Sequence, residues 1–227
     1  MKLTAGKWST HIESPSKQQA AYLKLKNAIL TLELPPGSVL TERHIMDQFA
    51  LSRTPMREAI NQLQVEGFIT SVSKNFVVKD LQYKDFIELC EVKEALESEA
   101  AYLCAIKKNS AIIANIEAAL AAFSQSLLRK EHSQILLSDL NFHWTLIENS
   151  KNNLLMQEMA IIMDHFLKFF NMYYDMESTP SFIKAISSSH KNIFNAIKAG
   201  DPPAARQAVL EHIQEIKNFN LDMLYLG

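Results

Sequence analysis

The sequence predicts a mainly α fold: an N-terminal winged helix-turn-helix of three helices and a β-hairpin, followed by an all-α helical bundle. Three observations carry this expectation. Apolar residues recur at helical spacing in segments that end before Gly67. Two short runs rich in β-branched and aromatic residues, Phe68-Ile69-Thr70-Ser71-Val72 and Phe76-Val77-Val78, flank Ser73-Lys74-Asn75. From about Tyr83 to the end, the pattern is helical throughout. The predicted domains are therefore residues 1–80, with an N-terminal arm, and residues 81–227.

The elements follow in order. Residues 1–17, with Ser14-Pro15-Ser16, read as a loose arm. A first helix runs from about Gln18 to Leu32, with Leu25, Ala28, Ile29 and Leu32 on one face, and Pro35-Pro36-Gly37 turns the chain. Thr41 caps a second helix to about Phe49, and Ala50-Leu51 forms the turn. Ser52 caps the third helix, Pro55 is tolerated in its first turn, and Gly67 stops it. In the hairpin, Asn75 is the residue type that accepts a left-handed turn. Six helices are expected near 83–107, 110–130, 132–149, 153–176, 180–199 and 202–225. The breaks fall at Asn109-Ser110, Asn149 to Asn153, Ser178-Thr179-Pro180 and Gly200-Asp201-Pro202-Pro203.

Composition bounds the function. The net charge of −2 hides an asymmetry: residues 1–80 carry ten Lys/Arg against seven Asp/Glu, and the remainder thirteen against eighteen. A basic N-terminal part suits phosphate, and an acidic C-terminal part does not. No run of about 18 apolar residues stands out, so no membrane span is expected. The start, Met1 to Trp8, lacks the apolar stretch of a signal peptide. Cys90 and Cys104 show no metal-ligand spacing and read as reduced core thiols in a cytoplasmic protein.

The third helix is the most specific feature. At 100° per residue, Met56, Ala59, Ile60 and Leu63 share one arc, and Arg53, Arg57, Asn61 and Gln64 share the neighbouring one, with Thr54 beside them. Arginine can pair bidentately with guanine and asparagine with adenine, each contributing about 1–3 kcal/mol of discrimination. Ser52 and Thr54 suit phosphate at a helix N-terminus. Arg43 is placed for phosphate or a base edge, and Lys74 at the hairpin tip for the minor groove. The competing account is a surface helix with solvated arginines. One winged domain has little contact area, so a homodimer on double-stranded, palindromic operator DNA is expected.

A second constellation lies in the bundle. Asp139 and His143 stand four residues apart, on a face with Leu136, Leu140 and Ile147. His190 sits among Ile183, Ile186, Ile193 and Ile197, and His212 among Ala205, Ala208, Val209, Ile216 and Phe219. One carboxylate and three imidazoles thus point inward from three helices. Such a set suits a divalent metal ion, Zn or Ni above others. Core histidines bonded separately to neighbours are the alternative. His132 and His165 read as surface or half-buried, with His165 a pocket neighbour, and His11 and His44 as solvated. Phe166, Phe169, Phe170, Met172, Tyr173 and Tyr174 read as core or dimer packing.

These residues carry a resemblance. Pro35-Pro36-Gly37-Ser38-Val39-Leu40-Thr41-Glu42, then Leu51-Ser52-Arg53-Thr54-Pro55-Met56-Arg57-Glu58-Ala59-Ile60 and Leu63-Gln64-Val65-Glu66-Gly67, resemble the N-terminal domain of GntR-family transcriptional regulators over about residues 20–80. The resemblance implies DNA contacts from Arg43, Ser52, Arg53, Thr54 and Arg57, with the wing at Lys74 and Asn75 in the minor groove. Two departures stand out: Leu32 and Lys74-Asn75 occupy places where the family usually has Gly. Asp139-Leu140-Asn141-Phe142-His143, then His190 to Ile197, Gly200-Asp201, Ala205 and His212-Ile213, are similar to FCD-type effector domains of the FadR branch, over about residues 83–220. The resemblance implies Asp139, His143, His190 and His212 as metal ligands. Lys93 shares a helix face with Phe86, Leu89, Cys90, Leu96 and Ala100. It stands in Glu91-Val92-Lys93-Glu94-Ala95-Leu96-Glu97, where the family usually has an effector-facing Arg, which implies effector binding at Lys93.

The combined expectation is a one-component repressor, not an enzyme. Its operator affinity would be set by a small organic acid, a carboxylate, bound with the metal. A metal-free regulator whose four polar residues hold the ligand directly, and a helical metalloenzyme, are the alternatives.

Overall fold

The computed structural model describes Trp8 and residues 15–129, 132–173 and 180–225. The order is α1 (Lys17–Leu30), β1 (Val39–Leu40), α2 (Glu42–Phe49), α3 (Arg53–Val65), β2 (Ile69–Val72), β3 (Asn75–Val78), α4 (Tyr83–Ile106), α5 (Ser110–Arg129), α6 (His132–Asn149), α7 (Asn153–Tyr173), α8 (Pro180–Ala199) and α9 (Pro202–Tyr225). The chain clusters into two compact units, residues 1–84 with 164–173, and residues 85–163 with 174–227.

In the first unit, Ser16 starts α1 with a capping box. Its Oγ accepts from the Gln19 N–H (3.2 Å), and the Gln19 side chain accepts from the Ser16 N–H (2.8 Å). Past α1, Leu32 takes φ +61, the left-handed turn for which glycine is the usual residue. Thr41 caps α2 by accepting from the His44 N–H, as expected. Ser52 holds the N-cap position of α3 but makes no side-chain capping bond, contrary to expectation. Gly67 follows α3 at φ +81.

The sheet order is β1-β3-β2, all antiparallel, with Val39 opposite Val77 and Thr70 opposite Val77 on the other side. β1 was not anticipated, because two residues show no periodicity. In the hairpin, Ser73 (φ +58) rather than Asn75 takes the left-handed conformation, and Asn75 pairs with Val72 in the ladder. Leu25, Ile29, Ile45, Met56, Ile60, Leu63, Phe68 and Val78 form the core of this unit.

The last part of α7, Asp164–Tyr173, belongs to the first unit; the division at residue 80 did not anticipate this, since α7 shows no break in its pattern. Its side chains complete backbone groups at element ends. His165 Nε2 lies 2.8 Å from the Glu66 carbonyl after α3, Asn171 Nδ2 donates to the Leu30 carbonyl of α1 (2.8 Å), and Lys168 Nζ donates to the Lys79 carbonyl beyond β3. Tyr173 donates to the Leu81 carbonyl (2.8 Å). Terminal carbonyls have no partner within their own helix, so a buried helix end requires such donors.

The second unit packs α8 on α9, α5 on α6 and α5 on α8. Phe86, Cys90, Ala100, Cys104, Ile116, Phe123, Phe142, Ile193, Ile197, Val209 and Ile213 form its core. Asn109 caps α5 by accepting from the N–H groups of Ala111 and Ile112, both at 3.0 Å. Asp201 caps α9 through the Ala204 N–H (3.1 Å). The thiols of Cys90 and Cys104 are free and buried, and burial pushes both up to about 12. By length and composition alone, helix α5 passes as long and apolar enough to cross a membrane, with a mean hydropathy of 1.5 over its most apolar stretch, a property it shares with core helices. It buries Ile112, Ile116, Leu120 and Phe123.

Candidate metal centre and nucleic-acid interface

Helix α3 divides as its periodicity requires. Met56, Ala59, Ile60 and Leu63 are buried, while Ser52, Arg53, Thr54, Arg57 and Asn61 are exposed. Gln64 is half-buried, and its amide donates to Ser71 Oγ of β2 (2.7 Å). Arg43 on α2 and Lys74 at the hairpin turn are exposed, and Asn75 is half-buried in the ladder. The exposed arginines are not loose. Glu42, at the start of α2, accepts from Arg57 Nε and pairs with Arg57 Nη2, both at 2.7 Å from Oε1, and its Oε2 lies 3.2 Å from Arg53 Nη2. The hydrogen bond from Arg57, with the charges of both arginines, lowers the Glu42 carboxyl. Sequence reasoning quoted Glu42 without assigning it a role. A charge match across 15 residues has no periodic signal.

In the bundle, three imidazoles from three helices converge. His143 (α6), His190 (α8) and His212 (α9) are all buried. His143 Nε2 lies 3.2 Å from His190 Nε2 and 3.1 Å from His212 Nε2. Asp139, one turn before His143, places Oδ1 at 3.4 Å from His190 Nε2 and 3.9 Å from His143 Nε2. The four residues named from sequence are thus brought together. Asp139 Oδ1 and His190 Nδ1 are buried and make no hydrogen bond among the described residues. Phe142 and Phe123 pack on His190 with ring centroids at 4.4 and 4.7 Å.

The chemistry of this set is that of a ligand cluster. Burial holds all three imidazoles well below their usual range, with the neighbouring charges adding to it. They are neutral, as metal binding requires. His143 Nδ1 faces Glu97 Oε1, and a carboxylate only accepts, so Nδ1 is the protonated nitrogen and Nε2 carries a lone pair toward the other rings. His212 Nδ1 lies 2.8 Å from Ser189 Oγ. Burial pushes the Asp139 carboxyl up to about 7, against the opposing charge of Lys93. An orphaned carboxylate oxygen beside three imidazole nitrogens fits a divalent cation, which would supply the missing charge.

Glu97 and Ser189 escaped the sequence reading. The i,i+4 pairing of Lys93 and Glu97 on α4 was the available signal for the first, and nothing marked the second. Lys93 is buried, so it does not snorkel to the surface. Its Nζ pairs with Glu97 Oε2. His165 lies in the first unit, buried against Phe68 with stacked rings at 4.1 Å rather than at the surface. His44 is exposed, and His11 and the side chain of His132 lie outside the described residues.

Comparison with known sequences bears on both sites. The pattern of bacterial regulatory proteins of the gntR family matches residues 17–76, and that of the FCD domain matches residues 88–215, more than half of the chain. The chain is a GntR-family transcriptional regulator with an FCD domain. It is 27% identical over 195 residues to the HTH-type transcriptional regulator YdhC of Bacillus subtilis (strain 168), covering 84% of this chain and 85% of that one. It is also 27% identical over 187 residues to the Nta operon transcriptional regulator of Aminobacter aminovorans, covering 79% and 83%. The solved structure of E. coli McbR/YncC shares the fold with a TM-score of 0.72, at 19% identity over 94% of this chain and 99% of that one. These families and relatives are regulators of transcription rather than enzymes. FCD domains can bind metal, and the His143, His190 and His212 triad of this FCD regulator could hold an ion.

Proposed function

We propose that this GntR regulator is a cytoplasmic, homodimeric repressor whose operator affinity is set by a small carboxylate held with a divalent metal ion. Residues 1–80 serve as the DNA-binding domain and residues 81–227 as the effector and dimerisation domain. Arg53, Arg57 and Asn61 read base edges, and Ser52, Thr54 and Arg43 position the phosphates. Lys74 and Asn75 form the wing contact.

The observation that carries the effector side is the convergence of three neutral Nε2 atoms with an orphaned Asp139 oxygen in a buried site. Asp139, His143, His190 and His212 would hold the ion, and imidazole-rich donors favour Zn or Ni. When bound, the ion offers a coordination position to a carboxylate. The protein's own residues set the rest: Phe123 and Phe142 pack against the His190 ring, and the bundle keeps the imidazoles neutral. Differential effector affinity between DNA-competent and DNA-free states would then couple the two domains.

The test begins with the duplex that the protein selects from random DNA. Arg53→Ala and Arg57→Ala should each weaken binding to it by about 1–3 kcal/mol, with the helical domain still folded. Zinc or nickel together with a panel of small carboxylates should shift that affinity, and a chelator should abolish the shift. Unchanged operator binding by both variants would refute the DNA role, and a response untouched by chelation would refute the metal role.

A further inference from the structure

The metal reading leaves one buried charge unexplained. Glu97 on α4 is fully buried, and both of its oxygens are engaged: Oε1 with His143 Nδ1 and Oε2 with Lys93 Nζ. A buried ion pair adds little net stability and is often replaceable by apolar side chains of similar volume. A carboxylate on the far nitrogen of a ligating histidine does something else. It fixes the tautomer, orients the ring and raises the basicity of the ligating nitrogen.

We propose that Glu97 is a positioning residue for the metal centre, and that Lys93 is its counter-ion rather than an effector clamp. This rests on the metal reading above. Glu97 holds the His143 ring with Nε2 facing His190 and His212, 3.2 Å from the Nε2 of the first and 3.1 Å from that of the second. Lys93, one turn earlier on the same helix, offsets the Glu97 charge inside the core. The ammonium is thereby engaged by an internal carboxylate, the kind of group an effector clamp would hold. Ser189, next to His190 in sequence, faces His212 Nδ1 in the same manner but without charge. The three rings are therefore unequal, and His143 has the charged partner.

The experiment measures Zn²⁺ and Co²⁺ affinity of the full-length protein by competition with a chelating indicator, the cobalt absorption spectrum, and the thermal midpoint of the metal-free form. Glu97→Gln keeps the shape but sets an amide against Lys93 and His143. It should weaken both ions by roughly 10–100-fold and alter the cobalt bands; the metal-free midpoint falls as well, because Lys93 is left buried without its carboxylate, so the role in the metal centre is read from the affinity and the cobalt spectrum. His190→Ala serves as the control for the site itself. If wild type binds, His190→Ala does not, and Glu97→Gln matches wild type, the role of Glu97 is overturned while the metal site stands. If wild type takes up neither ion, both fall together. Should Glu97→Gln not fold, Lys93→Met/Glu97→Met removes the pair at similar volume. That double variant should fold and still bind metal weakly; wild-type affinity overturns the proposal. So does failure of both variants to fold, because the pair would then be a requirement of the fold.

Discussion

Lys26→Met tests how the first unit is held together. Lys26 Nζ lies 2.5 Å from Asp164 Oδ2, 2.9 Å from Glu66 Oε2 and 2.7 Å from the Tyr22 hydroxyl. The Asp164 side chain is 2% exposed and that of Glu66 8% exposed, so neither carboxylate can hydrate when the ammonium is lost. Glu66 retains donors in Tyr22 (2.8 Å) and Gln62 (3.0 Å), whereas Asp164 retains the Trp8 indole N–H (2.7 Å). Asp164 is also the more deeply buried of the two carboxylates and lies closer to Lys26, so the larger share of the penalty falls on it.

Methionine keeps most of the stem packed near the Phe68 and Tyr22 rings, so the change isolates the charge. Breaking a buried pair from one side costs about 3–5 kcal/mol, and that loss is expected here. Burial already raises the Asp164 carboxyl, with Lys26 pulling it down. Without Lys26 the carboxyl rises further, and the loss should shrink as pH falls and Asp164 takes up a proton. Adding Asp164→Asn should recover most of the loss.

The assay is denaturant unfolding followed by tryptophan fluorescence in a Trp144→Phe background. The chain has two tryptophans, and Trp8 then reports the first unit alone. A local reporter is needed because two units need not unfold in one transition. A loss below about 1 kcal/mol, or no recovery in the double variant, would show that the cluster is not a desolvated ionic core.

Two further predictions concern the separate sites. Glu42→Gln frees Arg53 and Arg57 from their shared carboxylate, so affinity for random duplex should rise a few-fold and the operator preference should fall; gel-shift titrations at several salt concentrations read both, and an unchanged ratio would dismiss Glu42 as a restraint on the arginines. The metal-free protein should lose stability on acidification. His143, His190 and His212 are lowered by burial, and His165 is lowered to about 4, so their contribution is present above 6.5 and is lost as pH falls toward the folded values. Asp139, raised to about 7, and Asp164, also raised by burial, act in the opposite sense, their contributions being lost as pH rises through the folded values, but two carboxyls oppose four imidazoles. Thermal midpoints from pH 8 to about pH 5 should therefore fall below pH 6.5, and a flat or rising profile would contradict the buried, neutral imidazoles.

Local rules were legible where one element settles the matter alone. The apolar stripe of α3, the Thr41 cap, the stop at Gly67 and the bundle helices follow from side-chain periodicity and backbone preference within a few residues. The placement of Asp139 and His143 on one face also follows, since four residues are about one helical turn. What failed locally did so for local reasons. Ser73 rather than Asn75 took the left-handed turn because the ladder pairs Asn75 with Val72, and pairing is a property of two strands.

Periodicity placed His143, His190 and His212 inward but not the buried His165, and convergence depends on how α6, α8 and α9 cross, with the distances among their Nε2 atoms set by packing. Glu97 shows the same divide. Its alignment with Lys93 is written in the helix repeat, while its contact with His143 spans 46 residues and exists only after α4 and α6 pack. The Glu42 clamp and the assignment of Asp164–Tyr173 to the first unit likewise join residues far apart in the chain. Side-chain period and capping are short-range and survive in a one-dimensional string. Charge pairing, desolvation and ligand geometry act through space, so only the packed chain decides them.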